Sequence, residues 1–379
     1  MKAGPLAGLK VVEFTHMVMG PACGLVLADL GADVVKIEPA PDGDNTRRLG
    51  GSGIGFFAIM SRNKRSLSVD IKTEAGMAVV RELIAKADVL VENFRPGALD
   101  KLGLSYAALS AQNERLIYCS CKGFLPGPYE HRVALDEVVQ MMGGLAYMTG
   151  PPGRPLRAGA SVNDIMGGMF GAIGILAAVE ERHRTGRGKH IQSGLFENNV
   201  LLMSQHMAQF ALTGVEAPPM SVRQVAWPIY DLFTTADGGQ VFVGVVTDTQ
   251  WRLFCAEFDL PGLAADPSLA TQGERVAARE RVIPVVGAAL AAYTRAELMA
   301  KCERLGLPFA PITRPAELFD DPHLNASGGL VPVVLPNGAE SKLPALPLAF
   351  DGERLAQRRG LPAVGEHNAE ILHDWLGED

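Results

Sequence analysis

The chain has no Cys-x-x-Cys pair among its five cysteines (Cys23, Cys119, Cys121, Cys255, Cys302), and none of its eight histidines stands in His-x-x-x-His spacing. Without either ligand pattern no metal site is expected. An odd, scattered set of thiols suits a reducing compartment, where they pack as small apolar groups. There is no block of Lys and Arg. The net charge is −7 with both signs mixed along the chain, so neither nucleic acid nor an anionic membrane is an expected partner. Residues Met1–Gly8 lack the apolar core of a signal peptide, and the expected location is the cytoplasm. No Walker A sequence occurs. The first βα turn carries only Gly20 and Gly24, and Gly51-Ser52-Gly53-Ile54-Gly55 follows a loop rather than a strand. A dinucleotide cofactor is therefore not expected.

What is present is a chain of 379 residues, 47% hydrophobic and 20% charged, enough for two packed domains. Leu9–Phe14, Asp33–Glu38, Asp88–Glu92 and Leu116–Lys122 read as strands. Helices fit Pro21 to about Gly31, and Thr73–Lys86. This alternation predicts an α/β class with a Rossmann-like parallel sheet. Further on, Ala134–Tyr147 fits a helix, His190–Phe196 a strand and Glu197–Leu212 another helix. Pro228–Thr235 and Gln240–Val246 then read as an antiparallel hairpin followed by helices. That change of pattern marks a smaller α+β domain at about 226–325, after a first part at 1–225. Leu330–Leu343 gives short strands, and a closing helix runs from about 366 to 376.

One stretch stands out. Ser161-Val162-Asn163-Asp164-Ile165-Met166-Gly167-Gly168 opens a run without charge from Ile165 to Val179, which ends in Glu180–Arg184 and the stop Thr185-Gly186-Arg187-Gly188. The run reads as a long helix, too short and too glycine-rich for a membrane span. Asp164 sits where acid caps a helix, and capping alone would explain it. Asn163 could cap instead and leave Asp164 spare. The pair Gly167 and Gly168 would then bare the first turn to another molecule.

Together with this stretch, several short motifs stand in order: Thr15-His16-Met17-Val18-Met19-Gly20-Pro21, Gly43-Asp44-Asn45-Thr46-Arg47, Asn63-Lys64-Arg65-Ser66-Leu67 and Val91-Glu92-Asn93-Phe94-Arg95-Pro96-Gly97. Gly123-Phe124, Asp136–Gln140 and Arg184–Gly188 continue the series. The chain resembles the class III CoA-transferases over nearly its whole length. That resemblance implies an interlocked, ring-like homodimer. It implies a large domain built from both chain ends, 1–225 and 326–379, with the small domain between. It also implies a nucleophilic aspartate at Asp164, with coenzyme A thioester as substrate and no separate cofactor.

By the same resemblance His16, Met17 and Val18 line the adenine or pantetheine path. Asn93, Phe94 and Arg95 hold the nucleotide end with Lys101 nearby, and Arg47 is a further phosphate candidate. Each has a plainer reading, as surface charge, turn histidine or loop packing. Gly167 and Gly168 would expose backbone N–H groups as oxyanion donors. Asp136 is either a supporting group behind the site or the exposed face of a helix. The family also holds α-methylacyl-CoA racemases, which place a His-Asp pair where this chain has Leu135-Asp136; His131 is the imidazole close in sequence. Three readings follow. They are CoA transfer from an acyl-CoA to a free acid, racemisation of an acyl-CoA, and CoA binding without turnover. Arg47, Arg48 or Arg223 meeting a second carboxylate would suit a dicarboxylic acid, with succinyl-CoA as donor.

Overall fold

A computed structural model of the chain describes residues 4–223 and 225–377. Two compact units are present, Met1–Val222 with Pro322–Asp379, and Arg223–Asp321.

The larger unit is built on six parallel strands: β1 (Lys10–Phe14), β2 (Asp33–Pro39), β3 (Lys64–Val69), β4 (Val89–Glu92), β5 (Ile117–Lys122) and β6 (His190–Gly194). Their order is β3-β2-β1-β4-β5-β6. The direction of winding reverses between β1 and β4, which opens a crevice beyond the carboxyl ends of those two strands. Both faces are covered, and this explains the near-continuous apolar runs. On one face Val11, Val34, Val91 and Cys119 meet helix α1 (Met19–Asp29). On the other Val12, Val35, Leu90 and Tyr118 meet helix α2 (Glu74–Lys86).

Helix α3 (Asp136–Met142) is followed by a second short helix, Leu145–Thr149. The single helix expected over Ala134–Tyr147 is broken at Gly143-Gly144, where Gly144 takes a φ of 86°. Helix α4 (Val162–Thr185) has 24 residues and is long and apolar enough to cross a membrane, which corrects the expectation drawn from its glycines. In this fold its residues Ala172, Ile175 and Ala178 are buried in one core with α1 and β5. Helix α5 (Leu195–Leu202) follows β6 directly.

Strand β3 was not legible from hydrophobicity, because Lys64, Arg65 and Ser66 open it. All three are buried, with Lys64 on Glu13 at 2.6 Å and Arg65 on Asp33 and Asp374. Helix α1 begins at Met19, two residues before the expected start. Pro21 is thus the third helical residue, still in the first turn, where a missing N–H breaks no intrahelical bond. The chain's last turns return to this core, with Ile371 and Trp375 buried and the Trp375 indole donating to Asp33 at 2.8 Å.

The smaller unit holds an antiparallel sheet of β7 (Ile229–Thr234), β8 (Gln240–Val245) and β9 (Phe309–Pro311). Its core gathers Phe254, Val282, Val286 and Leu298 from the helices Asp248–Glu257, Arg279–Leu290 and Arg295–Arg304. In the larger unit, β10 (Leu330–Val334) and β11 (Glu340–Pro344) form the short strands expected there.

Candidate active site

Asp164 is the third residue of α4 and is half-buried. Neither of the two expected caps closes this helix. Ser161 holds the N-cap position without a side-chain bond. The Asn163 side chain is turned inward and donates to the Asn199 side-chain Oδ1 at 3.1 Å. The capping group is Asp136, buried at the start of α3. Its Oδ2 accepts from the Asn163 N–H at 2.8 Å and from the Asp164 N–H at 3.2 Å. Its Oδ1 takes the amide of Gln140 and lies 3.5 Å from the Arg157 guanidinium. Asp136 is thus buried and bonded to the start of α4, and does not stand on an exposed helix face.

With the cap supplied from outside the helix, the Asp164 carboxylate has no hydrogen bond or ion pair among the described residues. Burial pushes its pKa up to about 7. The like charge of Asp136 adds to that, and Arg157 opposes it. The imidazole nearest to Asp136 in sequence, His131, is exposed and sits on Glu130 at 3.1 Å.

The helix start offers no spare donors. Val162 N–H binds the Ala160 carbonyl and Ile165 N–H the Ser161 carbonyl, at 2.9 and 3.0 Å, while Asp136 takes the two between. This corrects the expectation of oxyanion donors at the head of α4. Gly167 and Gly168 serve packing instead. A Cβ on Gly168 would stand 2.8 Å from the Met19 carbonyl oxygen and 3.0 Å from the Cys23 nitrogen; one on Gly167 would stand 2.4 Å from the Met19 Cε. The pair lets α4 lie directly on α1. Gly168→Ala presses on backbone and is expected to cost about 1–3 kcal/mol in urea unfolding. Gly167→Ala, which meets the flexible end of Met19, should cost less.

Beyond the carboxyl ends of β1, β2 and β3 lies a cleft of about 660 Å³, lined by His16, Met17, Ile37, Glu38, Asp70 and Lys72, with Phe94 from beyond β4. Its floor is set by the turn after β1. Met17 takes a φ of 62° and its N–H is held by the Thr46 hydroxyl at 2.9 Å. The Asn93 amide bonds both the N–H and the carbonyl of His16, at 3.0 and 2.8 Å. The His16 ring stands edge-on to Phe94 at 5.3 Å. The structure thus brings His16, Met17, Asn93 and Phe94 together. Two residues after Met17 the chain enters α1 at Met19, which touches the Asp164 helix at Gly167.

Four expected binding residues, Val18, Arg47, Lys101 and Arg95, stand outside this cleft. Val18 is buried with Ala22, Leu25 and Met60 rather than lining the cleft. Arg47 binds Glu38 through two nitrogens, at 2.7 and 2.6 Å, and the Pro362 carbonyl through the third. Its plane lies 3.8 Å over Phe57, so three of its five N–H groups and one face are already engaged. Lys101 is exposed on the turn Asp100–Leu102 and lines neither this cleft nor its neighbour. That neighbour, of about 180 Å³, is lined by Arg95 with Glu92, Lys122 and His190. Arg48 binds the carbonyls of Asp42 and Gly43, and Arg223 begins the smaller unit. Sequence reasoning missed Lys72, an exposed cation on the rim of the larger cleft. It stands three residues beyond β3, a strand that was itself not recognised.

The family model for CoA-transferase family III matches residues 6–368. The chain is similar to a succinate–glutarate CoA-transferase of Agrobacterium fabrum, 34% identical over 97% of this chain and 95% of the relative. It is similar also to a succinyl-CoA–D-citramalate CoA-transferase of Chloroflexus aurantiacus, 32% identical over 98% of this chain and 94% of the relative. Among solved structures, a CaiB/BaiF family protein from Brucella suis superposes with a TM-score of 0.86 at 34% identity, covering 99% of this chain and all of that one.

Proposed function

The chain belongs to CoA-transferase family III and is an enzyme of that class, and from that premise we propose that it moves coenzyme A from succinyl-CoA to a second carboxylic acid through a thioester on Asp164. The observation that carries this reading is the uncommitted carboxylate of Asp164 on a helix capped by another residue. One Asp164 oxygen attacks the thioester carbonyl. The C–S bond breaks and CoA thiolate leaves, giving a mixed anhydride. The thiolate then attacks the aspartyl carbonyl, the donor acid departs as carboxylate, and Asp164 is left as a CoA thioester. The acceptor carboxylate runs the same steps in reverse and restores the free side chain. No group is oxidised or reduced, and no proton need be stored.

CoA as substrate fits the cleft. His16, Met17 and Phe94 offer ring and thioether surface to adenine or pantetheine. Lys72 and Arg95, with Lys101 on the adjoining surface, supply cations for its phosphates. Succinyl-CoA is proposed as donor because both named relatives handle succinyl groups and dicarboxylic acids. A second copy of the chain suits the exposed apolar face of α4, where Ile165, Met169, Phe170 and Ile173 stand open beside Asp164. We assign that face to a homodimer, expected by light scattering as a species of two chains.

The racemase reading loses support, since Asp136 is engaged by the helix and His131 points to Glu130. The deciding experiment incubates succinyl-CoA and other acyl-CoA donors with a panel of dicarboxylic and monocarboxylic acids. It follows new acyl-CoA and intact protein mass together. Exchange with a CoA adduct on the protein supports the proposal. Solvent deuterium at the α carbon without exchange would favour racemisation. Bound CoA with no exchange for any pair would leave a binding protein.

A further inference from the structure

We infer that Asp136 is the positioning residue for Asp164: by capping α4 from the neighbouring helix it replaces the cap that Asp164 would otherwise supply, and leaves that side chain free to react. The inference rests on the reading of Asp164 as nucleophile. An acid in the first turn of a helix is normally drawn to the open N–H groups there. In this chain the N–H groups of Asn163 and Asp164 are occupied by Asp136 Oδ2, and those on either side by backbone carbonyls. Nothing local competes for the Asp164 oxygens.

Asp136 is itself held in place. Gln140, one turn further along α3 and fully buried, donates to Asp136 Oδ1 and accepts the Ala158 N–H at 2.8 Å. That single amide ties α3 to the segment entering α4. Arg157, on the same segment, reaches Asp136 Oδ1 at 3.5 Å and Glu137 at 3.7 Å. The groups facing the head of α4 can be taken element by element. α3 brings the carboxylates of Asp136 and Glu137, and the entering segment brings the Arg157 cation. α5 brings the amides of Asn198 and Asn199, with Glu197 bound to the Leu125 N–H. α1 brings Met19, Ala22 and Cys23, none of them charged. Asp136 and Arg157 are therefore the two charges that oppose each other over Asp164, and their removal must act with opposite signs.

The test uses Asp136→Asn and Arg157→Met, with Gln140→Met as a third variant should the first fold poorly. One readout is the acid limb of the pH–rate profile, with a donor–acceptor pair found in the exchange screen. A second needs no substrate. The difference in melting temperature between each protein and its Asp164→Asn counterpart, followed against pH, reports the ionisation of Asp164. Asp136→Asn keeps one oxygen for the cap but loses the charge, and should move both midpoints down by about one pH unit. Arg157→Met should move them up. Gln140→Met, which unclamps Asp136, should lower kcat more than it raises KM. Loss of rate at every pH with neither midpoint moved would overturn the inference, because a merely structural role predicts that. Should Asp164→Asn retain full transfer, the nucleophile assignment falls, and the melting comparison still judges the coupling of the two carboxylates.

Discussion

Asp164→Asn is expected to lower CoA exchange by about four orders of magnitude or more, and to make the protein more stable above pH 7. The amide cannot form the anhydride, so no CoA mass should appear on the variant under conditions where the parent protein acquires it. The stability change follows from the same burial that readies the carboxyl. Its pKa in the folded chain is about 7, against about 3.9 unfolded. Below pH 4 both states are protonated and the group is neutral to folding. Between those values the folded state binds the extra proton, so stability falls as pH rises, and above pH 7 the full cost of the buried charge is present. Asparagine removes that cost. Discounted for a half-buried group, the gain is about 1–2 kcal/mol. The difference between variant and parent in melting temperature should therefore grow from pH 5 to pH 8. A variant that is both inactive and less stable at pH 8 would point to a disturbed helix start and not to a lost nucleophile.

What could be read in advance divides along a physical line. Apolar periodicity gave β1, β2, β4, β5 and the long helix, because each writes its burial into its own residues. Strand β3 is held by ion pairs whose other halves lie on β1, on β2 and near the chain's end, so its own letters read as surface. Asp164 stood out through the uncharged run it opens. Its cap did not, since Asp136 lies 28 positions earlier, and no local rule links the two. Arg47 was legible as a cation but not as a committed one. Its partners are Glu38 on β2 and a carbonyl 315 positions away. For the glycine pair, the sequence showed that side chains were missing but not toward which face. The face is α1, and the outcome is close helix packing.

Lys64→Met is expected to lower the stability of the larger unit by about 3–5 kcal/mol, a larger loss than any other single change considered for this fold. Glu13, at the middle of the sheet, is fully buried and holds Lys64 at 2.6 Å, Lys36 at 3.5 Å and the Thr15 hydroxyl at 2.7 Å. Burial pulls the Lys64 pKa down against the attraction of Glu13; Lys36 is held up by Glu13 and Asp44 despite its burial. Removing Lys64 leaves the carboxylate only the more distant cation, in a place water does not reach. It also frees the Pro21 carbonyl, which Lys64 binds at 2.8 Å, and so loosens the first turn of α1. That turn carries Met19 against Gly167. Lys36 meanwhile donates to the Thr15 carbonyl at 2.7 Å, so the same cluster shapes the wall of the cleft. The loss should appear in urea unfolding as a lower midpoint with an unchanged slope, together with weaker CoA binding. Glu13→Gln placed on Lys64→Met should restore part of the stability, because the stranded charge is then gone. If Lys64→Met alone costs under about 1 kcal/mol, the cluster is not what fixes α1 to the sheet, and the close seating of α4 on α1 must rest on the glycine contacts alone.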